Sequence, residues 1–196
     1  FERGSTSTLF SPDVVFNYGI GERWELVLQS RLAHELSPDS EGPKLIDNGV
    51  FLKGVLREGS LQDKPGPSVA AEFGLLLPST RDEPGTGAAL TLIVSQRWQA
   101  LTLHFNAEVA MTRRQLVDTA YSVILEGPYN WPVRPVGEFF FEREFGGSKV
   151  SSALVGAIWQ VNDNLAVDVA LRGGWIDDAA FKEVRAGVTI GFGTRR

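Results

Sequence analysis

Apolar and polar residues alternate with period two through nearly every segment of this 196-residue chain, and helical spacing hardly appears. Successive side chains of a strand point to opposite sides, so each such segment presents one apolar and one polar face. Leu165, Val167, Val169, Leu171, Gly173 and Trp175 stand against Ala166, Asp168, Ala170, Arg172 and Gly174. Trp24, Leu26, Leu28, Ser30 and Leu32 alternate in the same way with Glu25, Val27, Gln29 and Arg31. Leu101, Leu103, Phe105, Ala107, Val109 and Met111 oppose Thr102, His104, Asn106, Glu108 and Ala110. Near the carboxyl end, Val184, Ala186, Val188, Ile190 and Phe192 oppose Arg185, Gly187 and Thr189.

The pattern predicts about eleven strands of roughly ten residues. They fall near 13–20, 23–35, 47–58, 68–78, 87–98, 101–112, 117–128, 134–144, 150–161, 165–175 and 183–192. Long, evenly spaced strands without intervening helices imply one all-β domain over 1–196, an antiparallel up-and-down transmembrane β-barrel whose closure removes exposed edges. Single-chain bacterial barrels have even strand numbers. The odd count therefore predicts twelve strands in the full-length protein, with a signal peptide and first strand upstream. Phe1–Asp13 would then belong to the outer loop after that strand; a short strand over 5–11 is the alternative.

Alternation does not say which face points inward, and three features favour the apolar face pointing outward into lipid. Short turns at Gly21-Glu22, Gln99-Ala100 and Asn162-Asp163-Asn164 alternate with longer polar loops at 36–46 and 78–87, although the connection 59–67 breaks the pattern. Tyr18, Trp24, Trp98, Tyr129, Trp131, Trp159 and Phe192 all fall beside the short-turn end, as an interfacial aromatic belt would. The last strand, Gly187–Phe192, resembles the terminal signal by which outer-membrane barrels are assembled. The apolar face carries almost no charge, Arg143 near a strand end being the main exception. A charge facing lipid at mid-bilayer costs about 2–4 kcal/mol. These features predict the bacterial outer membrane as location, its lipid as surroundings and the barrel-assembly machinery as a partner during biogenesis.

Composition excludes several other classes. The formal net charge is −5 and Lys and Arg never cluster, which removes the electrostatic footprint of nucleic-acid binding. Cysteine is absent, so there is no disulfide framework, thiolate zinc site or cysteine nucleophile. No run approaches the roughly 18 apolar residues of a transmembrane helix. No phosphate loop, metalloprotease motif or dinucleotide fingerprint occurs, and neither a cofactor nor a metal is expected.

The inward face would carry charges of both signs. Its cationic candidates are Arg31, Lys53, Arg57, Arg97, Arg134, Arg172 and Arg185; its anionic ones are Glu25, Glu72, Glu108, Glu126, Glu138, Glu142, Glu144 and Asp168. Charges in a narrow lumen must be paired or wet. Two readings stay open: an ion-pair network that fills and stiffens the barrel, and a polar pore whose lining sets which solutes pass. Glu138, Glu142 and Glu144 form an acidic ladder on one strand face, with Glu126 on the adjacent strand, where it could steer cations or be neutralised by arginines.

Catalysis is not expected. Acyl chemistry needs a nucleophile, a base and an orienting group. The two histidines are His34, beside a loop, and His104, which shares the inward face with Asn106, and no serine stands two residues from either.

Specific stretches resemble a known family. Phe16-Asn17-Tyr18-Gly19-Ile20 followed by Trp24-Glu25-Leu26 is similar to the opening of the outer-membrane β-barrel transporter family associated with the meta-cleavage pathway of phenol degradation. Further likenesses are Asn48–Lys53, Leu75–Thr80, Leu103–Asn106, Val155-Gly156 through Leu165–Asp168, and Ala186–Thr189, in the family's order from about Val14 to Phe192. The resemblance implies an outer-membrane barrel for passive passage of small solutes, with aromatic compounds as a solute class, and it supplies no catalytic residues. A sealed scaffold barrel is the alternative, and an envelope lipid-modifying enzyme a third.

Overall fold

The computed structural model describes residues 7–37, 40, 42–81 and 83–192. Eleven antiparallel strands follow one another in a single sheet whose order is the order of the sequence, the strand order of an up-and-down β-barrel. They are β1 Thr8–Gly19, β2 Trp24–Glu35, β3 Lys44–Arg57, β4 Ser68–Leu76, β5 Gly87–Arg97, β6 Thr102–Met111, β7 Val117–Glu126, β8 Val133–Glu144, β9 Lys149–Asn162, β10 Leu165–Ile176 and β11 Ala179–Ile190. A 3-10 turn at Ser60–Gln62 is the one helical element among the described residues. Among the described residues no helix is long and apolar enough to cross a membrane.

Every expected strand is present, but β3 begins at Lys44, inside the expected loop 36–46, β11 ends at Ile190 and not at Phe192, and the starts of β1 and β11 move further still. β1 begins at Thr8, so Thr8–Asp13 is strand and not part of a loop; residues 1–6 lie outside the described residues. Its register against β2 shifts between Phe10 and Asp13, around Pro12, which has no N–H to give to a ladder. β11 begins at Ala179 instead of 183, because Asp177 takes a positive φ of 53° and closes a two-residue turn with Asp178. Alternation hid this start. Phe181 stands on the polar face and Lys182 on the apolar one, the reverse of the pattern that marks the rest of the strand.

Connection lengths do not alternate as expected. Those after odd-numbered strands span 20–23, 58–67, 98–101, 127–132 and 163–164; those after even-numbered strands span 36–43, 77–86, 112–116, 145–148 and 177–178. Each set holds one ten-residue connection and one two-residue turn. Loop length therefore says nothing here about orientation.

The chain divides into two compact units whose boundaries cut across β3 to β7: Phe1–Val55 with Ala71–Thr91 and Val109–Val117, and Leu56–Ala70 with Leu92–Glu108 and Asp118–Arg196. In the first, Val27, Phe51, Ala89 and Ala110 form a small buried cluster with Leu76 against it. Val27 and Phe51 are cross-strand partners on the same face as Glu25 and Lys53, so this core sits on the nominally polar face. Gly49 and Gly74 make room for the Phe51 ring: a Cβ at either would strike it. In the same unit the connection 77–86 is tied down by Arg113, whose guanidinium donates to the carbonyls of Leu77 and Asn48 and lies 3.6 Å from Glu83.

In the second unit the faces are inverted relative to a water-soluble sheet. Val184 and Phe139 on the apolar face are 75% and 70% exposed. Arg134 and Arg172 on the charged face keep only 16% of their side chains exposed. The polar side chains cover one another; the apolar ones stand largely uncovered.

Candidate functional site: the charged face of the sheet

The candidate site is the charged face, built wherever alternation sends a polar side chain to the side that neighbouring strands shelter. In the first unit the Glu25 carboxylate lies 3.7 Å from Lys53 Nζ, its direct cross-strand partner. Arg31 reaches Asp13 at 2.7 Å and Asp47 at 3.2 Å. A register shift beside Arg31 and a positive φ at Asp47 bring those groups together. On the other face of β2, Ser30 Oγ–H donates to the Asn48 side-chain carbonyl, and Asn48 in turn donates to the carbonyl of Pro78. Glu72 stands half-buried on the charged face of β4. Arg57, already in the second unit, falls at the exposed end of β3, and its guanidinium fills the space a side chain at Gly66 would need.

The second unit holds a longer chain of polar groups. Ser95 Oγ lies 2.8 Å from His104 Nδ1, His104 Nε2 lies 3.6 Å from Glu126 Oε1, and Glu126 Oε2 lies 3.6 Å from Arg134 Nε. With Nε2–H turned to Glu126, Nδ1 accepts from the serine hydroxyl, an assignment made from the network. Ser95 lies on β5 and not on His104's own strand, so no spacing along β6 reveals it. A hairpin centred on Gln99-Ala100 pairs positions equidistant from the turn, and 95 and 104 are such a pair. The same arithmetic finds Asn106 Nδ2 donating to Ser122 Oγ across the next hairpin at 2.9 Å.

Ser95, His104 and Glu126 have the residue types of a hydrolytic triad. Their placement is that of a floor. Ser95 is 2% exposed and stands on the charged face, whereas a lipid hydrolase needs its nucleophile directed at lipid.

A second network joins β9, β10 and β11. Arg185 grips Glu183 through two bonds of 2.8 and 3.1 Å, and Arg172 approaches the same carboxylate at 3.6 Å. Arg172 also donates to Ser152 Oγ and is flanked by the rings of Phe140 and Phe181 at 5.2 and 5.4 Å. Phe181 joins this face because β11 begins at Ala179 and not at 183, and Glu183, at the first position of the expected strand, joins it as the cross-strand partner of Arg172. Asp168 lies over Gly187, where a Cβ would strike its carboxylate. Arg97 bonds Asp63 at 2.6 Å and stacks 4.7 Å over Tyr129, while its N–H donates to Ser60 Oγ, fixing the connection 58–67.

The acidic ladder does not act as one group. Glu126 belongs to His104 and Arg134, Glu138 lies near Arg172, and Glu142 gathers with Asp118 and Glu108. Glu144 is buried at the cross-strand position opposite Asp118. No group of His, Asp and Glu among the described residues is placed to hold a metal ion.

The aromatic residues expected beside a short-turn end fall instead at the odd-numbered strand ends, whose connections are not uniformly short. Tyr18, Trp24, Trp98, Tyr129, Trp131, Trp159 and Phe192 are all exposed, and each flanks the end of an odd-numbered strand or the connection after one. The Trp24 ring lies over Gly54, its cross-strand partner. Arg143, the charge on the apolar face, is at the end of β8 with its guanidinium 5.1 Å over Phe145.

Comparison with protein-family models and with curated proteins finds no match to this chain.

Proposed function

We propose that the protein is an outer-membrane β-barrel for passive passage of small solutes along its charged face, and that it performs no catalysis. The observation that carries this reading is the inversion of the sheet, with apolar side chains exposed and charged ones sheltered. Contiguous apolar surface beyond a few hundred Å² is rare on proteins that live in water and marks a membrane or partner surface. Exposed rings beside the odd-strand ends support an interface there. Aromatic compounds are the solute class suggested by the likeness of Phe16–Leu26 and the later motifs to transporters of phenol-degradation pathways.

A sealed scaffold barrel is the second reading. The Val27–Phe51–Ala89–Ala110 cluster and the matched Arg–Glu pairs favour it, since both fill space that a solute would need.

Single-channel recording separates the two. The protein, refolded and inserted in a planar bilayer, is expected to give stable conductance steps that change when Glu138 and Glu142 are replaced by Gln. A folded, inserted barrel that never conducts would overturn the channel and leave the scaffold.

A further inference from the structure

Cations on the two faces of the second unit are treated differently. On the charged face Arg97, Arg134, Arg172 and Arg185 each reach a carboxylate. On the apolar face Arg143, Lys149 and Lys182 reach none among the described residues. Arg143 and Lys149 are direct cross-strand partners on β8 and β9. Such partners have Cβ atoms about 5 Å apart, and like charges so placed repel. The Asp177 carboxylate of the adjoining turn accepts from the backbone N–H of Lys149. Aromatic rings surround the pair: Lys149 Nζ lies 5.8 Å from the Phe141 centroid, and exposed Tyr121 and Trp175 stand in the same cross-strand row as Phe141 and Ser151.

Below that row the surface dips. Ala153 and Gly173, cross-strand partners, form the floor of a shallow groove between Val155, Leu171 and Val184, with Lys182 at its rim. A Cβ built on Gly173 would meet nothing closer than the Phe181 carbonyl at 3.8 Å. The dip is open space, not a packing necessity.

We propose that Arg143 and Lys149 bind the phosphate of an anionic membrane lipid, one of whose acyl chains lies in the groove over Gly173. This rests on the membrane reading above. In water an exposed cation pair needs no partner, because solvent screens it. Facing lipid, it needs a counter-charge at headgroup depth, where amphipathic rings also settle. Lipid phosphates supply that charge. Lys182, with its long apolar stem, extends from the groove rim towards the same headgroup.

The test uses the folded protein in dodecyl maltoside micelles, titrated with phosphatidylglycerol or with phosphatidylcholine of the same acyl chains. Bound lipid is counted by native mass spectrometry. Phosphatidylglycerol is expected to bind more tightly, with a loss of about fivefold for each cation removed in Arg143→Gln and Lys149→Gln. Gly173→Leu, which fills the groove, should weaken both lipids alike while the barrel stays folded. Equal binding of the two lipids, or an undiminished preference in the double Gln variant, would overturn the proposal. Inorganic phosphate competing at the same concentration as the lipid would overturn the lipid as its source. A chain that never gains β-sheet circular dichroism or heat-modifiable migration in micelles fails the membrane reading itself, and the lipid site with it. A folded protein indifferent to phosphatidylglycerol fails the lipid site alone.

Discussion

On the same face of the sheet, the two units differ in what fills the space between their ion pairs. In the first, the inward positions of β2, β3, β5 and β6 carry Val27, Phe51, Ala89 and Ala110, and glycines at 49 and 74 let the Phe51 ring lie flat. In the second, the matching positions carry Ser95, His104, Glu126, Arg134, Arg172 and Glu183, linked from strand to strand. Apolar filling depends on shape and loses most when a void opens. Polar filling depends on pairing and loses most when one member is left alone. The face is therefore not a uniform charged lining, and its two parts should respond differently to the same kind of truncation.

The largest expected effect is Phe51→Ala. Removing a buried ring from between two glycines should destabilise the folded protein by about 3 kcal/mol, as for other core Phe→Ala changes. Denaturant unfolding of the refolded protein reads this directly, and a loss below about 1 kcal/mol would break the claim that this part is filled by packing.

Next comes Arg134→Met, which leaves Glu126 facing only His104. With both side chains partly exposed, the cost should be about 1–2 kcal/mol, less than for a fully buried pair. The sharper measurement is a double-mutant cycle. Adding Glu126→Gln should recover part of the loss, whereas strictly additive losses would mean the two residues are not coupled.

Ser95→Ala removes one hydrogen bond to His104 and should cost about 1 kcal/mol. If conductance steps appear as proposed, this variant should leave them in place. Abolition of an esterase activity by Ser95→Ala would instead reopen the catalytic reading.

The smallest effect is expected at Asp63→Asn. Its side chain is 91% exposed although it bonds Arg97 at 2.6 Å, so the change should stay within about 0.5 kcal/mol. A larger loss would mean that the connection 58–67 depends on this contact more than on Ser60, Gln62 and Ser68, whose side chains also hold it.

The strands themselves were legible because the pleat writes its period into the residues. Leu165–Trp175 could be assigned face by face, and all eleven expected strands are present. Where legibility failed, the cause was local. Phe181 turned inward to stack on Arg172, and Lys182 turned outward, so the first turn's worth of β11 carried a reversed signal. Phe51 sits in the apolar run Val50-Phe51-Leu52, which has no alternation to reveal that the ring faces the charged side. The Ser95–His104 pair was accessible through hairpin arithmetic. Asp63 meeting Arg97 was not, because a ten-residue connection has no period to count along.

Residue order by itself determined that this chain is a meander of strands, where most of them begin and end, and which side chains share a face. It also placed the aromatic residues beside the odd-strand ends. Tertiary structure alone decided which charges meet. Successive same-face residues of one strand are roughly 6–7 Å apart, while cross-strand neighbours stand at about 5 Å. Partners are therefore chosen by register and turn closure: Arg172 meets Glu183 only because Asp177 closes the hairpin two residues wide. Register also leaves Arg143 beside Lys149 on the apolar face, a pairing that no count along either strand reveals.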